Sequence, residues 1–153
     1  MINDMLALAA VAHSGQRDKA GVPYIFHIMA VTEYTRQRWG HEDEDLLCIA
    51  AGHDLIEDTD VDYQFLAEHF NERIADGIRA LSKVGGNFDP HAYEKYQEKV
   101  LGSLDAMKVK ICDLRHNMQA DRVLQDAKTD YRMDKYSKFR DLIEEKLNEA
   151  GLS

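Results

Sequence analysis

The sequence predicts an all-α protein, and three observations support this fold class. Apolar residues recur at helical spacing along almost the whole chain, and the alternation of apolar and polar residues that is typical of strands is absent. Only two prolines occur, Pro23 and Pro90, and both stand beside turn-forming residues. A chain of 153 residues is long enough for one domain with a substantial core. We therefore expect residues 1–153 to form a single compact all-α domain of about seven or eight helices.

Turn and capping signals set the expected helix boundaries. The first helix ends before the turn-rich segment 14–23, and the second ends at Gly40. Asp62 is the expected N-cap of a short helix, and another helix starts near Asn71. The segment 85–90 contains two glycines and a proline and breaks the chain. The predicted helices cover residues 3–13, 26–39, 44–57, 62–70, 71–81, 91–101, 104–123 and 130–148.

The charge of the chain is strongly uneven. The 28 acidic and 19 basic residues give a net charge of −9, but residues 1–76 carry −10 and residues 77–153 carry +1. Bulk acidity argues against partners that are themselves polyanions, such as nucleic-acid polymers or anionic membranes. The acids of the first half are therefore either a solvated surface or, in part, ligands of a cation.

No segment suggests a membrane protein or a secreted one. No apolar run approaches the roughly 20 residues that span a bilayer, and the N-terminus lacks the pattern of a signal peptide. Cys48 and Cys112 each lie in an apolar helical pattern, which favours buried thiols over a disulfide. These features predict a cytoplasmic protein.

One helix is expected to end in an unusual group of polar residues, the run HDLIEDTD at positions 53–60. His53 and Glu57 are four residues apart. Asp54 and Asp58 have the same spacing, so the two pairs lie side by side on one helical turn. Carboxylates this close repel one another unless a cation or hydrogen-bond donors compensate. The alternative is a solvated helix end with a capping aspartate, although the helix dipole disfavours negative charge there.

Two further candidates lie elsewhere in the chain. Asp113 follows an apolar stretch of the central helix, and Asn117 faces the same way one turn later. An aspartate near the core is rarely unpaired, so its partner is either an arginine, such as Arg115 or Arg122, or a metal ion. His27 follows an aromatic and apolar helix entry, where a histidine is either a satisfied core residue or a ligand.

The order of these motifs resembles that of the HD-domain metal-dependent phosphohydrolases. More closely, the chain is similar to the hydrolase domain of the RelA/SpoT family and to its small stand-alone (p)ppGpp hydrolases, from about residue 5 to residue 125 and more faintly to Tyr136. The matching motifs are Ala12-His13-Ser14-Gly15-Gln16 with Lys19, Gly21, Pro23-Tyr24-Ile25 and His27; His53-Asp54-Leu55-Ile56-Glu57-Asp58-Thr59; Leu81-Ser82-Lys83-Val84; and Val109-Lys110-Ile111-Cys112-Asp113 with His116-Asn117-Met118.

The resemblance implies a metal ion held by two histidines and two aspartates. By motif position these ligands are His27, His53, Asp54 and Asp113. Such a nitrogen and oxygen set suits Mn²⁺, Fe²⁺, Co²⁺ or Zn²⁺, and the resemblance implies Mn²⁺.

The resemblance also implies a reaction and roles for three further residues. The reaction is hydrolysis of the 3′-pyrophosphate of guanosine tetra- or pentaphosphate to GDP or GTP and pyrophosphate. Glu57 is the expected general base or orienting acceptor for the attacking water, and Asp58 assists it. Asn117 is expected to hold the water or a ligand in place.

A polyphosphate substrate also requires cationic contacts. The candidates are Lys19, Arg122 and Arg132, with Tyr136 one turn after Arg132. Each basic residue could equally be solvated. The related hydrolases place an arginine that packs on guanine where this chain has Asp18. Asp18 therefore either accepts hydrogen bonds from a base edge or marks a different nucleotide.

Three functions agree with the sequence, and they share a small-molecule nucleotide as partner. The leading one is metal-dependent (p)ppGpp hydrolysis by a single HD domain, without a synthetase domain, for which 153 residues leave no room. The first alternative is an HD phosphohydrolase for another nucleotide or a phosphomonoester. The second is a catalytically idle nucleotide-binding module, which the complete ligand set disfavours. A monomer and a homo-oligomer remain equally open.

Overall fold

A computed structural model describes residues 1–86, 89–119 and 127–152, with side chains from residue 131 onward in the last range. Within these ranges the chain forms nine α-helices and no strand, which confirms the all-α prediction. The one β-type pairing in the described ranges is an isolated antiparallel bridge between Arg17 and Pro23. The helices are α1 (Ile2–Ala12), α2 (Ile25–Trp39), α3 (Glu44–Gly52), α4 (Leu55–Asp58), α5 (Tyr63–His69), α6 (Glu72–Ala80), α7 (Ala92–Leu101), α8 (Leu104–Asn117) and α9 (Ala127–Glu149).

The expected continuous helix over 44–57 is wrong, because the chain turns between α3 and α4. The backbone N–H of His53 bonds to the carbonyl of Ala50, only three residues back, at 3.5 Å. The His53 Nδ1–H donates to the same carbonyl at 2.7 Å, and Asp54 has φ −105° and ψ 3°. This turn raises the number of helices in the described residues from the expected seven or eight to nine.

Side-chain caps fix the starts of four helices. Asp43, Asp62, Asn71 and Ser103 each accept a hydrogen bond from the backbone N–H three residues further on, at the starts of α3, α5, α6 and α8. Each cap satisfies a backbone donor that has no partner within its helix. The predicted N-cap at Asp62 is thereby confirmed.

Helix α3 lies at the centre of the core. Its residues 46–52 are all buried, and it packs against α1, α2, α6 and α8. Gly77 of α6 allows a close approach, since an added Cβ there would lie 2.5 Å from the Cδ1 of Ile49. This packing leaves little room for movement, so α3 holds the following residue, His53, in a fixed place.

Helices α8 and α9 complete the bundle. Residue 117 ends α8, short of the expected residue 123; residues 120–126 lie outside the described ranges. Phe139, Ile143 and Leu147 of α9 are fully buried. Cys48 and Cys112 are buried free thiols, as expected. In the described part of the chain, no helix combines the length and apolar character needed to cross a membrane.

Candidate metal centre

Four side chains from three parts of the chain converge beside the C-terminal end of α3. His27 lies in the first turn of α2, His53 and Asp54 form the turn between α3 and α4, and Asp113 lies on α8. The Nε2 of His27 is 2.8 Å from Asp113 Oδ1. The Nε2 of His53 is 3.0 Å from Asp54 Oδ2 and 3.4 Å from Asp113 Oδ1. The fold thus brings together all four residues that the motifs nominate as ligands.

The spacing of these donor atoms suits a divalent cation. Ligands about 2.1 Å from an ion are about 3.0 Å apart in an octahedron and about 3.4 Å apart in a tetrahedron. Donor atoms of His27, His53 and Asp113 all lie within 4.8 Å of one another. Asp54 is slightly further out, with Oδ2 4.0 Å from His27 Nε2. Together the side chains form a possible His/Asp metal site.

The orientation of the His53 ring supports this interpretation. The residue is 2% exposed, and its Nδ1–H is used by the Ala50 carbonyl. In the described part of the structure, Nε2 is buried and forms no well-aligned hydrogen bond, although carboxylate oxygens lie 3.0 and 3.4 Å away. Because Nδ1 carries a proton, loss of the Nε2 proton on metal binding would leave the Nε2 lone pair facing the two carboxylates. This is the arrangement that a metal-binding histidine requires.

His27 is held by a second buried histidine. Its Nδ1 lies 2.7 Å from Nδ1 of His116, and the two rings stack with centroids 5.0 Å apart. If His27 binds a metal through Nε2, its Nδ1 must carry the proton and His116 must accept it. His116 therefore orients His27, a role that the sequence pattern alone did not indicate.

The charges at the centre are strongly coupled. Burial raises the pKa of both carboxyls, but nearby cations outweigh it. The pKa of Asp54 is lowered to about 2, chiefly by His53. That of Asp113 lies well below its usual range, chiefly because of Lys110. Burial favours the neutral ring of His53, but the two carboxylates raise its pKa well above the ordinary value. The centre thus favours two ionised carboxylates, which would attract a divalent cation.

Two acidic side chains of α4 flank the centre. Glu57 Oε1 accepts a hydrogen bond from the backbone N–H of Lys83 at 2.6 Å, and Asp58 Oδ2 accepts one from Gln16 Nε2 at 3.2 Å. Burial raises the pKa of both carboxyls, and the negative charge of Asp54 adds to the shift. Glu57 also lines the cleft at the centre. A carboxylate with a raised pKa is a better proton acceptor at neutral pH.

Asn117 and Lys110 both contact Asp113. Asn117 Nδ2 donates to Asp113 Oδ1 at 3.3 Å and so helps to hold that carboxylate in place. Lys110 Nζ lies 2.8 Å from Asp113 Oδ2 and is largely buried. Sequence reasoning missed Lys110, because a lysine three residues before an aspartate on a helix is an ordinary surface pattern.

A cleft of about 220 Å³ opens from the centre. Asp54, Glu57, Asp113 and Asn117 lie at its acidic end. The rest of its wall is mainly aromatic and basic, with one lysine against a tyrosine ring: Lys135 Nζ is 3.8 Å from the ring centroid of Tyr93. The remaining lining residues are Tyr24, Leu81, Lys83, Tyr96, Lys110, Leu114 and Tyr136. The cleft thus combines three carboxylates with three lysines.

The predicted substrate residues have different positions. Tyr136 lines the cleft, whereas Arg132 is half-buried one turn before it on α9. Lys19 is exposed and contributes positive charge at Lys135. Arg122 lies outside the described residues.

Asp18 serves its own loop. Its Oδ1 accepts hydrogen bonds from the backbone N–H groups of Ala20 and Val22, both at 2.9 Å. These bonds close the turn that leads to α2. Its contact with a base remains a prediction.

An all-α fold that gathers two histidines and two aspartates at the end of an internal helix defines the HD-domain class, as predicted. Comparison with known proteins places the chain more narrowly. It is 32% identical over 114 residues to a probable guanosine-3′,5′-bis(diphosphate) 3′-pyrophosphohydrolase of Synechocystis, covering 70% of this chain and 15% of that protein. The corresponding enzyme of Haemophilus influenzae is 32% identical over 119 residues, covering 73% and 17%. The bifunctional (p)ppGpp synthase/hydrolase SpoT of Escherichia coli is 30% identical, with the same coverage.

These matches confirm the family resemblance: the chain is a homologue of the SpoT-type 3′-pyrophosphohydrolases. It spans 15 to 17% of the length of these curated relatives. No family model matches it. A solved structure of a metazoan SpoT ortholog, described as hydrolysing ppGpp and acting in starvation responses, superimposes with a TM-score of 0.73. It is 20% identical and covers 99% of this chain and 96% of that one, so the two share the whole fold.

Proposed function

We propose that this chain hydrolyses the 3′-pyrophosphate of guanosine tetra- or pentaphosphate and releases pyrophosphate. The observation that carries the proposal is the convergence of His27, His53, Asp54 and Asp113, with donor atoms 2.8 to 4.0 Å apart, at one end of a lysine-lined cleft. The substrate is proposed from the homologues, which are named as 3′-pyrophosphohydrolases of guanosine-3′,5′-bis(diphosphate). The relevant compartment is the cytoplasm, and the partner is a small nucleotide.

The four converging side chains are the proposed ligands of a divalent ion, and we propose Mn²⁺. An ion bound there supplies Lewis-acid polarisation of the phosphate and lowers the pKa of water. The mixed imidazole and carboxylate set also accommodates Fe²⁺, Co²⁺ or Zn²⁺. His116 and Lys110 hold His27 and Asp113 in position.

Glu57 is the proposed general base. Its carboxylate accepts a proton from the water that attacks the phosphorus next to the ribose 3′ oxygen. The bond between that phosphorus and the 3′ oxygen breaks, the oxygen takes up a proton, and pyrophosphate leaves. Asp58, in the next position of α4, assists by holding water or by relaying a proton. Asn117, through its bond to Asp113, keeps the acidic end of the cleft in place.

The basic wall of the cleft is the proposed site of the remaining phosphates. No carboxylate in the described part of the chain forms an ion pair with Lys135, and burial together with the positive charges of Lys83, Lys110 and Lys19 lowers its pKa. Positive charges that crowd one another are stabilised when an anion binds among them. Tyr136 belongs to the same wall, and Arg132, one turn before it on α9, is a further proposed phosphate contact.

The test is a hydrolysis screen with the purified chain supplemented with Mn²⁺. We expect pyrophosphate release from guanosine tetraphosphate and none from GTP or simple phosphomonoesters. Activity on other nucleotides with none on guanosine tetraphosphate would replace the proposal with a hydrolase of different specificity. Binding of nucleotides without release of phosphate or pyrophosphate from any of them would identify a catalytically idle module.

A further inference from the structure

The loop between α1 and α2 contacts both ends of α4. Tyr24 Oη donates to Asp54 Oδ2 at 2.5 Å, just before α4 begins. Gln16 Nε2 donates to Asp58 Oδ2 at 3.2 Å, at its last residue. Helix α4 has only four residues, so its own backbone does little to orient these carboxylates. The loop therefore supplies their orientation from outside.

Behind Gln16 lies a buried histidine with no place in the proposed chemistry. His13 is 3% exposed, and its Nδ1 lies 2.8 Å from Gln16 Oε1. A carboxamide oxygen can only accept, so Nδ1 of His13 carries the proton and donates it. Within the described residues, the other ring nitrogen has no hydrogen-bond partner. The polar contact of the His13 side chain is thus directed at Gln16.

This contact decides which way the Gln16 amide faces. With its oxygen held by His13, the amide must turn its NH₂ group toward Asp58. If the amide were reversed, its oxygen would face the ionised carboxylate of Asp58, and both groups would lack a donor. His13 therefore sets the direction of a bond that it does not itself make.

We infer that His13 and Gln16 are positioning residues that hold the Asp58 carboxylate in its working orientation. The inference rests on the proposed function, in which Asp58 assists hydrolysis. It assigns to the loop a task beyond the predicted substrate contacts of Asp18 and Lys19, and it gives the buried His13 a chemical role in place of a space-filling one.

The experiment compares four single variants and one double variant in hydrolysis of guanosine tetraphosphate at saturating Mn²⁺. His13→Phe keeps a ring but removes the donor. His13→Asn restores a donor, since the Asn side-chain NH₂ can replace Nδ1–H. Gln16→Met removes both polar groups of the amide. His69→Phe, at an exposed histidine of α5, is the matched control.

We expect His13→Phe to lower kcat about 10- to 100-fold, the usual range for an outer-sphere partner, with KM and bound Mn²⁺ unchanged. His13→Asn should recover most of the loss, and His69→Phe should have no effect. His13→Phe and Gln16→Met interrupt the same chain of hydrogen bonds from His13 through Gln16 to Asp58. The double variant His13→Phe/Gln16→Met should therefore lose no more kcat than either single variant. Equal kcat in His13→Phe and the wild type, no recovery with Asn, or multiplying losses would each overturn the inference.

A second measurement does not depend on activity. In ¹H–¹⁵N spectra of the full chain, the side-chain amide signals of Gln16 should shift in His13→Phe and return toward their original positions in His13→Asn. They should stay in place in His69→Phe. If the chain hydrolyses no guanosine tetraphosphate, the proposed function fails, while these signals still test the contact. Unchanged Gln16 signals in His13→Phe would overturn the inference by themselves.

Discussion

The Nε2 of His27 and the Oδ1 of Asp113 are 2.8 Å apart, which joins the first turn of α2 to α8. Both residues are almost fully buried, at 2% and 5% exposed. A buried carboxylate requires charged or hydrogen-bonding partners, and Asp113 has His27, His53, Lys110 and Asn117 around it. The concentration of partners on one carboxylate makes Asp113 the central residue of the proposed site.

Removal of a proposed ligand should abolish metal retention. Loss of an outer-sphere partner typically weakens metal binding 10- to 100-fold, so Asp54→Ala and Asp113→Ala should each weaken Mn²⁺ binding by more than about 100-fold. Titration calorimetry with Mn²⁺ and metal analysis after gel filtration measure this. The control is Asp60→Ala, at an exposed aspartate two residues after α4. Unchanged metal content in both ligand variants would contradict the site assignment.

Glu57→Gln should keep the metal and lose the rate. The amide oxygen can still accept the hydrogen bond from the Lys83 backbone N–H, so the local fold is retained. The amide cannot take up a proton, and loss of a general base costs about 10²- to 10⁴-fold in kcat. Rate and bound Mn²⁺ are measured together. Glu94→Gln, at an exposed glutamate of α7, should match the wild type; a wild-type rate in Glu57→Gln would exclude it as the base.

Lys135→Gln should raise KM more than it lowers kcat. Its ammonium group lies against the Tyr93 ring on the wall of the cleft, and it has no proposed role in proton transfer. A hydrogen bond to a charged phosphate contributes about 1.5 kcal/mol or more, which corresponds to about a tenfold rise in KM. Steady-state kinetics on guanosine tetraphosphate measure KM and kcat separately. Lys138→Gln removes an exposed lysine of the same helix and should leave KM unchanged; equal KM values in the two variants would place the phosphates elsewhere.

Asp43 should contribute stability that depends on pH. Its side chain caps α3 and accepts two hydrogen bonds from Arg73, which lower the pKa of its carboxyl. Because the folded pKa lies below the unfolded value, the contribution is complete above about pH 4 and is lost as the pH falls through the folded pKa.

Asp43→Ala should therefore lower the free energy of unfolding by about 1 to 2 kcal/mol at neutral pH, the usual cost of a lost cap. The difference from the wild type should shrink below about pH 4. Urea denaturation at several pH values measures both effects, with Glu42→Ala at the exposed preceding residue as control. A difference that stays constant through the acid range would show that the charge of Asp43 is not involved.

Helix positions were largely predictable, and the one major error has a local cause. Apolar periodicity and caps such as Asp62 indicate where helices lie, because these signals act within a few residues. The turn at His53 and Asp54 interrupts a segment whose composition is fully helical. There the His53 side chain competes with backbone N–H groups for the Ala50 carbonyl. Such a contact cannot be predicted from residue composition.

The site was predictable in part, through motif order. The four proposed ligands follow from residues that match a known pattern. Lys110 and Lys135 do not stand out, because isolated lysines on helices are usually solvated. Only their placement in the cleft distinguishes them. For Asp18, the sequence predicted contact with a nucleotide base, whereas the structure shows its side chain bonded to the backbone of its own loop.

By itself, the sequence determined an all-α chain with an acidic first half and the residue types of a metal-dependent hydrolase. These properties depend on composition and on neighbours along the chain. The tertiary structure alone decided that Nε2 of His53 faces two carboxylates, that His116 supports His27, and that His13 reaches Asp58 through Gln16. Such contacts join distant segments, and their geometry is set by the packing of α3 against α2 and α8, which no local pattern encodes.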